Sequence, residues 1–283
     1  MDKKITENAY GKINLSLDIT GRMTNGLHEV KTVMQTISLC DTVTLTCVRG
    51  AKGIKISCDD KSVPCDERNT CYKVTDVFLE KTGVTGYGIE IYIQKRIPSM
   101  AGLGGGSSDA AAVIRMLDSA FETNLNCDEL REIAAKVGAD IPFLINGGTA
   151  LCMGAGDRVS PLPEKLHYYI LLVKPEFGVS TPEAYKSFDK KGIVSKLNSD
   201  RLANAIVNGE SILSYISNDL EKAIDSPVIS EIKAELISLG ALASLMSGSG
   251  SCVYGLFDSD EMCRKAYDEL KGKYSFTAVC RTI

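Results

Sequence analysis

Pro98-Ser-Met-Ala-Gly-Leu-Gly-Gly-Gly-Ser-Ser-Asp109 packs four glycines and three serines between two segments of opposite character. Before it, Gly88-Ile-Glu-Ile-Tyr-Ile-Gln-Lys95 alternates Ile89, Ile91 and Ile93 with Glu90, Tyr92 and Gln94, the period-two mark of a strand. After it, Asp109-Ala-Ala-Ala-Val-Ile-Arg-Met-Leu117 has the small residues of a helix that seats closely on a sheet. The order strand, glycine loop, helix has a physical use. The first turn of a helix leaves backbone N–H groups unpartnered at the positive end of its dipole, and a phosphate fits there. Glycine lets the backbone approach phosphate oxygens without a Cβ in the way and adopts the positive φ angles such a wrap needs. A flexible strand-to-helix connection is the plainer reading of the same letters.

Two familiar phosphate loops do not match. The Walker pattern needs Lys and then Ser or Thr after its second glycine, and counting from Gly102 the second glycine slot falls on Ser107. The dinucleotide fingerprint puts Ser107 in its third glycine position, and no early βαβ unit is expected around it. A second small-residue loop, Met246-Ser-Gly-Ser-Gly-Ser-Cys252, precedes the apolar Val253–Phe257, and together the two loops suit one anionic ligand.

The 283 residues, 44% of them hydrophobic, suffice for two domains with proper cores. A net charge of −4 supplies no diffuse basic field, so nucleic acid is not an expected partner. No apolar run approaches the ~20 residues that cross a bilayer, and Met-Asp-Lys-Lys at the start lacks a signal-peptide core. A cytoplasmic chain with no membrane partner is therefore expected. The ten cysteines form no C-x-x-C pair and have only His28 and His167 to join them at a metal, so they read as free thiols.

From its start the chain alternates Ile13, Leu15, Leu17 and Ile19 with Asn14, Ser16 and Asp18, predicting a strand whose wet face carries Lys12, Asn14 and Ser16 together. That face either addresses a ligand or is an ordinary solvated surface. Asn25-Gly26 marks a turn before Leu27-His28. Asp41–Val48 and Ile54–Cys58 alternate around a glycine loop and predict an antiparallel hairpin, and Asn69 caps a following helix. A helix over Asp128–Val137 leads to Gly138-Ala-Asp140-Ile-Pro142-Phe143, where Asp140 is either an N-cap or a general base. Gly154-Ala-Gly156-Asp157 suggests a boundary near 155–162 and domains of 1–158 and 159–283. Tyr168–Lys174 reads as a buried strand, and Ser180-Thr-Pro-Glu183 as a capping box that sets Tyr185 on the first turns of a helix.

Gly102-Leu-Gly-Gly-Gly-Ser-Ser-Asp-Ala110 resembles the nucleotide loop of the GHMP kinases, and Ser247-Gly-Ser-Gly-Ser251 resembles their C-terminal glycine motif. Within that superfamily Lys12-Ile-Asn14, Asn25-Gly-Leu-His28 and Gly138-Ala-Asp-Ile-Pro-Phe143 are similar, in order and spacing, to the branch that phosphorylates a cytidylyl-methylerythritol alcohol. The resemblance spans nearly the whole chain. It implies a two-domain α+β fold, an N-terminal ribosomal-protein-S5-domain-2-like domain and a C-terminal ferredoxin-like domain, with the active site in the cleft between them. It also implies a monomer or weak homodimer using ATP and Mg²⁺ in non-mevalonate isoprenoid synthesis. By motif position, Asp140 would accept the hydroxyl proton, and Lys12 would keep that base ionised and offset phosphoryl charge. ATP would lie on Lys95, Pro98, Ser99, Met100, Ala101, Gly102, Leu103, Gly104, Gly105, Gly106, Ser107 and Ser108, and on Gly248, Ser249 and Gly250. Ser108 would also touch the metal. Asn14, His28, Thr181 and Tyr185 would hold the substrate, Tyr185 by stacking on the cytosine. The family usually has an aromatic residue before the histidine, where this chain has Leu27. A GHMP kinase for another small alcohol, of mevalonate or homoserine type, and a nucleotide-binding regulator without turnover are the alternatives.

Overall fold

The computed structural model describes residues 2–163 and 166–283. Contacts divide the chain into two compact units that do not follow one another in sequence. The first holds the chain up to Gly11, Cys40–Ile97 and Gly104–Gly147, and the second holds Lys12–Leu39, Pro98–Leu103 and Gly148–Ile283. Two long strands cause this interleaving, since β1 (Lys3–Arg22) and β2 (His28–Arg49) each give one half to either unit.

In the first unit β3 (Ile54–Cys58), α1 (Thr70–Thr82) and β4 (Tyr87–Gln94) follow β2. The hairpin expected between 41–48 and 54–58 does not form. Instead β4 pairs antiparallel with β2, Thr42 opposite Gln94, and parallel with β3, Ile54 opposite Ile89. The parallel pair needs a crossover, which α1 supplies, so a βαβ unit precedes the glycine loop after all. The ordering follows burial: Ile89, Ile91 and Ile93 of β4 are fully buried and take the inner position, while β3 buries only Ile56 and sits at the edge. Asn69 caps α1 by accepting from the Cys71 N–H, as expected.

The glycine loop then opens α2 (Gly105–Phe121), whose Ala110, Ala111 and Ala112 are fully buried. Next come α3 (Cys127–Ala135) and α4 (Ile141–Asn146). A capping box between Asn126 and Glu129, not anticipated above, starts α3 one residue early, and the helix stops at Ala135 rather than Val137.

In the second unit β5 (Thr149–Gly154) runs antiparallel to the first half of β2 and to β6 (Arg158–Leu162). Gly154-Ala-Gly156-Asp157 is thus the tight turn of a hairpin, with Asp157 accepting from the Ala155 N–H, so the compact units do not part near 158. Beyond it lie β7 (Tyr169–Lys174), α5 (Thr181–Lys191), α6 (Ser199–Asn208), β8 (Ser217–Asn218), α7 (Asp219–Ala223), α8 (Pro227–Ser238), β9 (Ala243–Met246), β10 (Val253–Phe257), α9 (Asp260–Leu270) and β11 (Phe276–Arg281). An antiparallel sheet in the order β11-β7-β10-β9 is built round Ile170–Val173 and Val253–Phe257, all buried. Leu171, Val173 and Val253 pack with Ile232 and Leu236 of α8 and with Cys263 and Ala266 of α9. Such unbroken apolar runs are what a sheet buried on both faces requires.

Candidate active site

The chain enters the first glycine loop from a fixed base. Asp41 on β2 accepts from the Ile97 N–H (2.8 Å) and pairs with the Lys95 ammonium, which also reaches Asp109 of α2 (2.7 Å). Lys95, expected at the nucleotide, therefore gives its charge to two buried carboxylates beneath the loop. A Cβ on Gly105 would lie 3.3 Å from its Nζ. Burial opposes the ammonium, but Asp109 and Asp41 outweigh it and hold the Lys95 pKa above the ordinary value. Burial raises Asp109 to about 7, Lys95 pulling it down and Asp41 pushing it further up. Between the ordinary carboxylate range and 7 the folded chain holds a proton on Asp109 that the unfolded chain lacks. Its stability contribution is therefore full at low pH, falls as pH rises toward 7 and is gone above it. Melting midpoints from pH 5 to 8 check this: the wild type declines more steeply than Asp109→Asn, and parallel curves would contradict it.

Gly102 (φ +72°) and Gly104 (φ +71°) are left-handed, and Gly104 occupies the N-cap of α2 without any side-chain bond to the first-turn amides. Gly105 and Gly106 are the first helical residues, so the glycines extend into the turn whose N–H groups point outward. Thr70 donates to the Gly106 carbonyl (2.8 Å) and steadies that turn from α1. The hydroxyl expected at a metal, Ser108, is buried and lies 2.7 Å from the Tyr10 carbonyl and 2.9 Å from that of Gly104, because the first turn needs it as an internal brace.

In the second unit the other half of the loop meets the second glycine loop. A Cβ on Gly102 would fall 1.9 Å from the Ser247 carbonyl oxygen, so only glycine permits the approach. Ser247 Oγ donates to the Gly102 carbonyl (2.9 Å), and the Cys252 N–H to that of Ala101 (3.2 Å). Asn218 Nδ2 donates to the Met246 and Gly248 carbonyls, each at 2.8 Å, and Thr181 Oγ1 lies 2.9 Å from Ser249 Oγ.

Lys12 and Asn14 adjoin this loop. The strand face expected to be wet is buried: Lys12 is 3% exposed, Asn14 2% and Ser16 0%. Buried polar groups need partners, and these have them. Lys12 Nζ donates to Asn14 Oδ1 (2.7 Å), Asn14 Nδ2 donates to Thr32 Oγ1 (2.8 Å), and the Lys12 N–H donates to the Leu103 carbonyl (2.9 Å). A Cβ on Gly248 would come within 3.3 Å of Lys12 Nζ and 3.2 Å of Asn14 Oδ1. A fixed ammonium thus stands against two loops of small residues, an arrangement suited to anionic oxygen.

Asp140, in the first unit, holds the N-cap position of α4, but its carboxylate makes no cap bond to that helix. Arg115 of α2 donates to the Leu144 and Ile145 carbonyls at the far end of α4 (2.8 and 3.3 Å), fixing the short helix that carries Asp140. Nothing in the letters pointed to Arg115, which acts across 29 residues.

Also in the second unit, His28 and Tyr185 stack, ring centroids 4.6 Å apart and 21° from parallel. Asp189, missed in the sequence, fixes His28 by a 2.8 Å contact to Nε2 and pairs with Arg22. The bond from His28 is the main cause that lowers the Asp189 pKa. Ser180 takes the N-cap position of α5 but forms no side-chain cap, so the expected capping box is absent there. Leu27 is 55% exposed.

Residues 69–148 match the GHMP kinases N terminal domain and 211–275 the GHMP kinases C terminal domain. A 4-diphosphocytidyl-2-C-methyl-D-erythritol kinase of Clostridium kluyveri is 41% identical over 281 residues, covering 97% of this chain and 99% of the relative. One from Clostridium botulinum is 40% identical over 279 residues with the same coverage. A crystal structure of a 4-(cytidine 5'-diphospho)-2C-methyl-D-erythritol kinase superposes with a TM-score of 0.82 at 29% identity, over 98% of this chain and 99% of that one. With an α+β fold, paired glycine loops and an ammonium beside them, the chain belongs to the GHMP kinases, a family of ATP-dependent small-molecule kinases.

Proposed function

We propose that the chain transfers the γ-phosphoryl group of ATP to the 2-hydroxyl of 4-diphosphocytidyl-2-C-methyl-D-erythritol, a step of non-mevalonate isoprenoid synthesis. The substrate is the one named for its relatives of about 40% identity. The observation that carries the chemistry is the buried Lys12–Asn14 pair set against two glycine loops that touch through Gly102 and Ser247.

Phosphoryl transfer passes through a loose transition state that asks chiefly for alignment and charge neutralisation. The amides of Gly105, Gly106 and Ser107, at the positive end of α2, receive phosphate oxygens. Lys12, held by Asn14, faces the charge that develops on the transferring group. Asp140 takes the proton of the attacking hydroxyl as the new bond forms. A Mg²⁺ ion bound with the triphosphate would supply neutralisation of phosphate charge. Among the described residues no group of three His, Cys, Asp or Glu side chains is placed to hold a metal.

His28 and Asn14 make polar contacts to the cytidylyl alcohol, Thr181 lies at its edge, and Tyr185, stiffened by its stack on His28, offers its ring to the base. Base–aromatic stacking is worth about 1–3 kcal/mol. Tyr185→Ala accordingly raises KM for the cytidylyl substrate by about tenfold or more and leaves KM for ATP unchanged. Equal effects on the two constants would contradict the assignment. The same reading makes the chain a cytoplasmic monomer or weak homodimer; no described helix is long and apolar enough to cross a membrane. The reaction is tested by coupled ADP release with the cytidylyl alcohol, mevalonate and homoserine in parallel. Turnover is expected with the first, and preference for either of the others overturns the substrate.

A further inference from the structure

Lys174 has no task in the transfer chemistry, yet it is a buried cation in the second unit. It ends β7, an inner strand of the antiparallel sheet, and is only 9% exposed. Its Nζ donates to the Pro175 carbonyl (3.2 Å) and the Phe177 carbonyl (3.3 Å), and among the described residues no carboxylate lies within ion-pair distance. An ammonium buried against neutral carbonyls alone is costly, and a lysine at such a place calls for an anion that gains from its charge.

Its surroundings are the two glycine loops. The Phe177 carbonyl also accepts from Ser251 Oγ, at the end of the second glycine loop. Gly178 abuts the first loop so closely that a Cβ there would lie 2.8 Å from Met100 Cβ, and the Ser251 N–H donates to the Met100 carbonyl (3.4 Å). Ser275 Oγ braces the turn from behind through the Lys174 and Pro175 carbonyls. The 175–178 turn is thus the backing of both loops, and Lys174 closes it. At the end of the second loop burial drives the Cys252 thiol to about 12, with the Val173 backbone and then Lys174 pulling it down.

We propose that Lys174 is a positioning residue for the nucleotide's triphosphate: its ammonium ties the 175–177 turn under both glycine loops and places a fixed positive charge behind them. This rests on the nucleotide reading given above. It acts through the loops and touches no reacting atom.

The test compares Lys174→Gln, which keeps a donor and loses the charge, with Lys174→Arg, which keeps both. Inorganic tripolyphosphate and adenosine are titrated into each variant and the wild type, alongside melting midpoints. In Lys174→Gln, tripolyphosphate binding is expected to weaken by about tenfold, as for one unit charge removed near the ligand in a medium of intermediate dielectric. Adenosine binding should hold within about twofold and the melting midpoint should not fall, since an unpaired buried charge has been removed. Lys174→Arg should bind tripolyphosphate nearly as the wild type does. Wild-type affinity for tripolyphosphate in the Gln variant, equal weakening of both ligands, or failure of that variant to fold would each overturn the proposal. A wild-type protein that binds neither ligand would instead overturn the nucleotide reading itself.

Discussion

Asp140→Asn is expected to lose turnover by about 10²–10⁴-fold, the span of a general base, while ATP binds as before. Asparagine is as good an N-cap as aspartate, and Asp140 makes no side-chain cap bond to α4, so the helix has no reason to unravel. Arg115 continues to hold the other end of that helix through the Leu144 and Ile145 carbonyls. The amide cannot accept the hydroxyl proton, and that is the loss. Coupled ADP release and titration with a non-hydrolysable ATP analogue separate the two quantities. Turnover near the wild-type level would exclude Asp140 as the base.

Gly102→Ala and Gly106→Ala should fail in opposite ways. At Gly102 the new Cβ meets backbone on every side: the Ser247 carbonyl oxygen at 1.9 Å, its carbon at 2.9 Å and the Gly250 nitrogen at 3.1 Å, at a φ of +72°. None of these can rotate away, so the two loops must separate and give up the bonds at Gly102 and Ala101. A loss of about 3–5 kcal/mol in stability follows, together with nucleotide binding. Gly106 meets only Thr70 Oγ1, at 3.5 Å, and has ordinary helical backbone. Alanine there should stabilise the chain by roughly 0.5–1 kcal/mol, since glycine is the poorer helix former. Its methyl group nevertheless stands where a phosphate approaches the first-turn amides, so affinity for ATP should fall by about tenfold or more. Denaturant unfolding and nucleotide titration of both variants check the pair. A Gly106→Ala protein that binds ATP normally would place the phosphates elsewhere.

Local patterns made part of this legible. The glycine run announced the start of α2 because strand periodicity stops at Lys95 and alanines begin at Ala110, and Asn69 announced α1 because its cap bond spans two residues. The alternation over residues 12–18 fixed which side chains share a face, but not that the face is buried; that depends on Thr32 and on a glycine loop more than 230 residues away. The false hairpin between 41–48 and 54–58 has the same origin. Adjacent alternating segments predict each other as partners unless a more apolar strand, here the one with Ile89, Ile91 and Ile93, claims the place between them. Asp189 and Arg115 gave no signal, since a lone acidic or basic residue on an amphipathic helix reads as solvated surface. Lys95 was drawn to the nucleotide by its place beside the loop, whereas two carboxylates distant in sequence, Asp41 and Asp109, engage it.

The most direct measurement is a crystal structure with a non-hydrolysable ATP analogue and the cytidylyl alcohol bound together. The account predicts terminal phosphate oxygens on the amides of Gly105, Gly106 and Ser107, Lys12 Nζ at the γ-phosphate, and the 2-hydroxyl within hydrogen-bonding distance of the Asp140 carboxylate. A triphosphate seated away from the glycine loops, or a hydroxyl out of reach of Asp140, would contradict it.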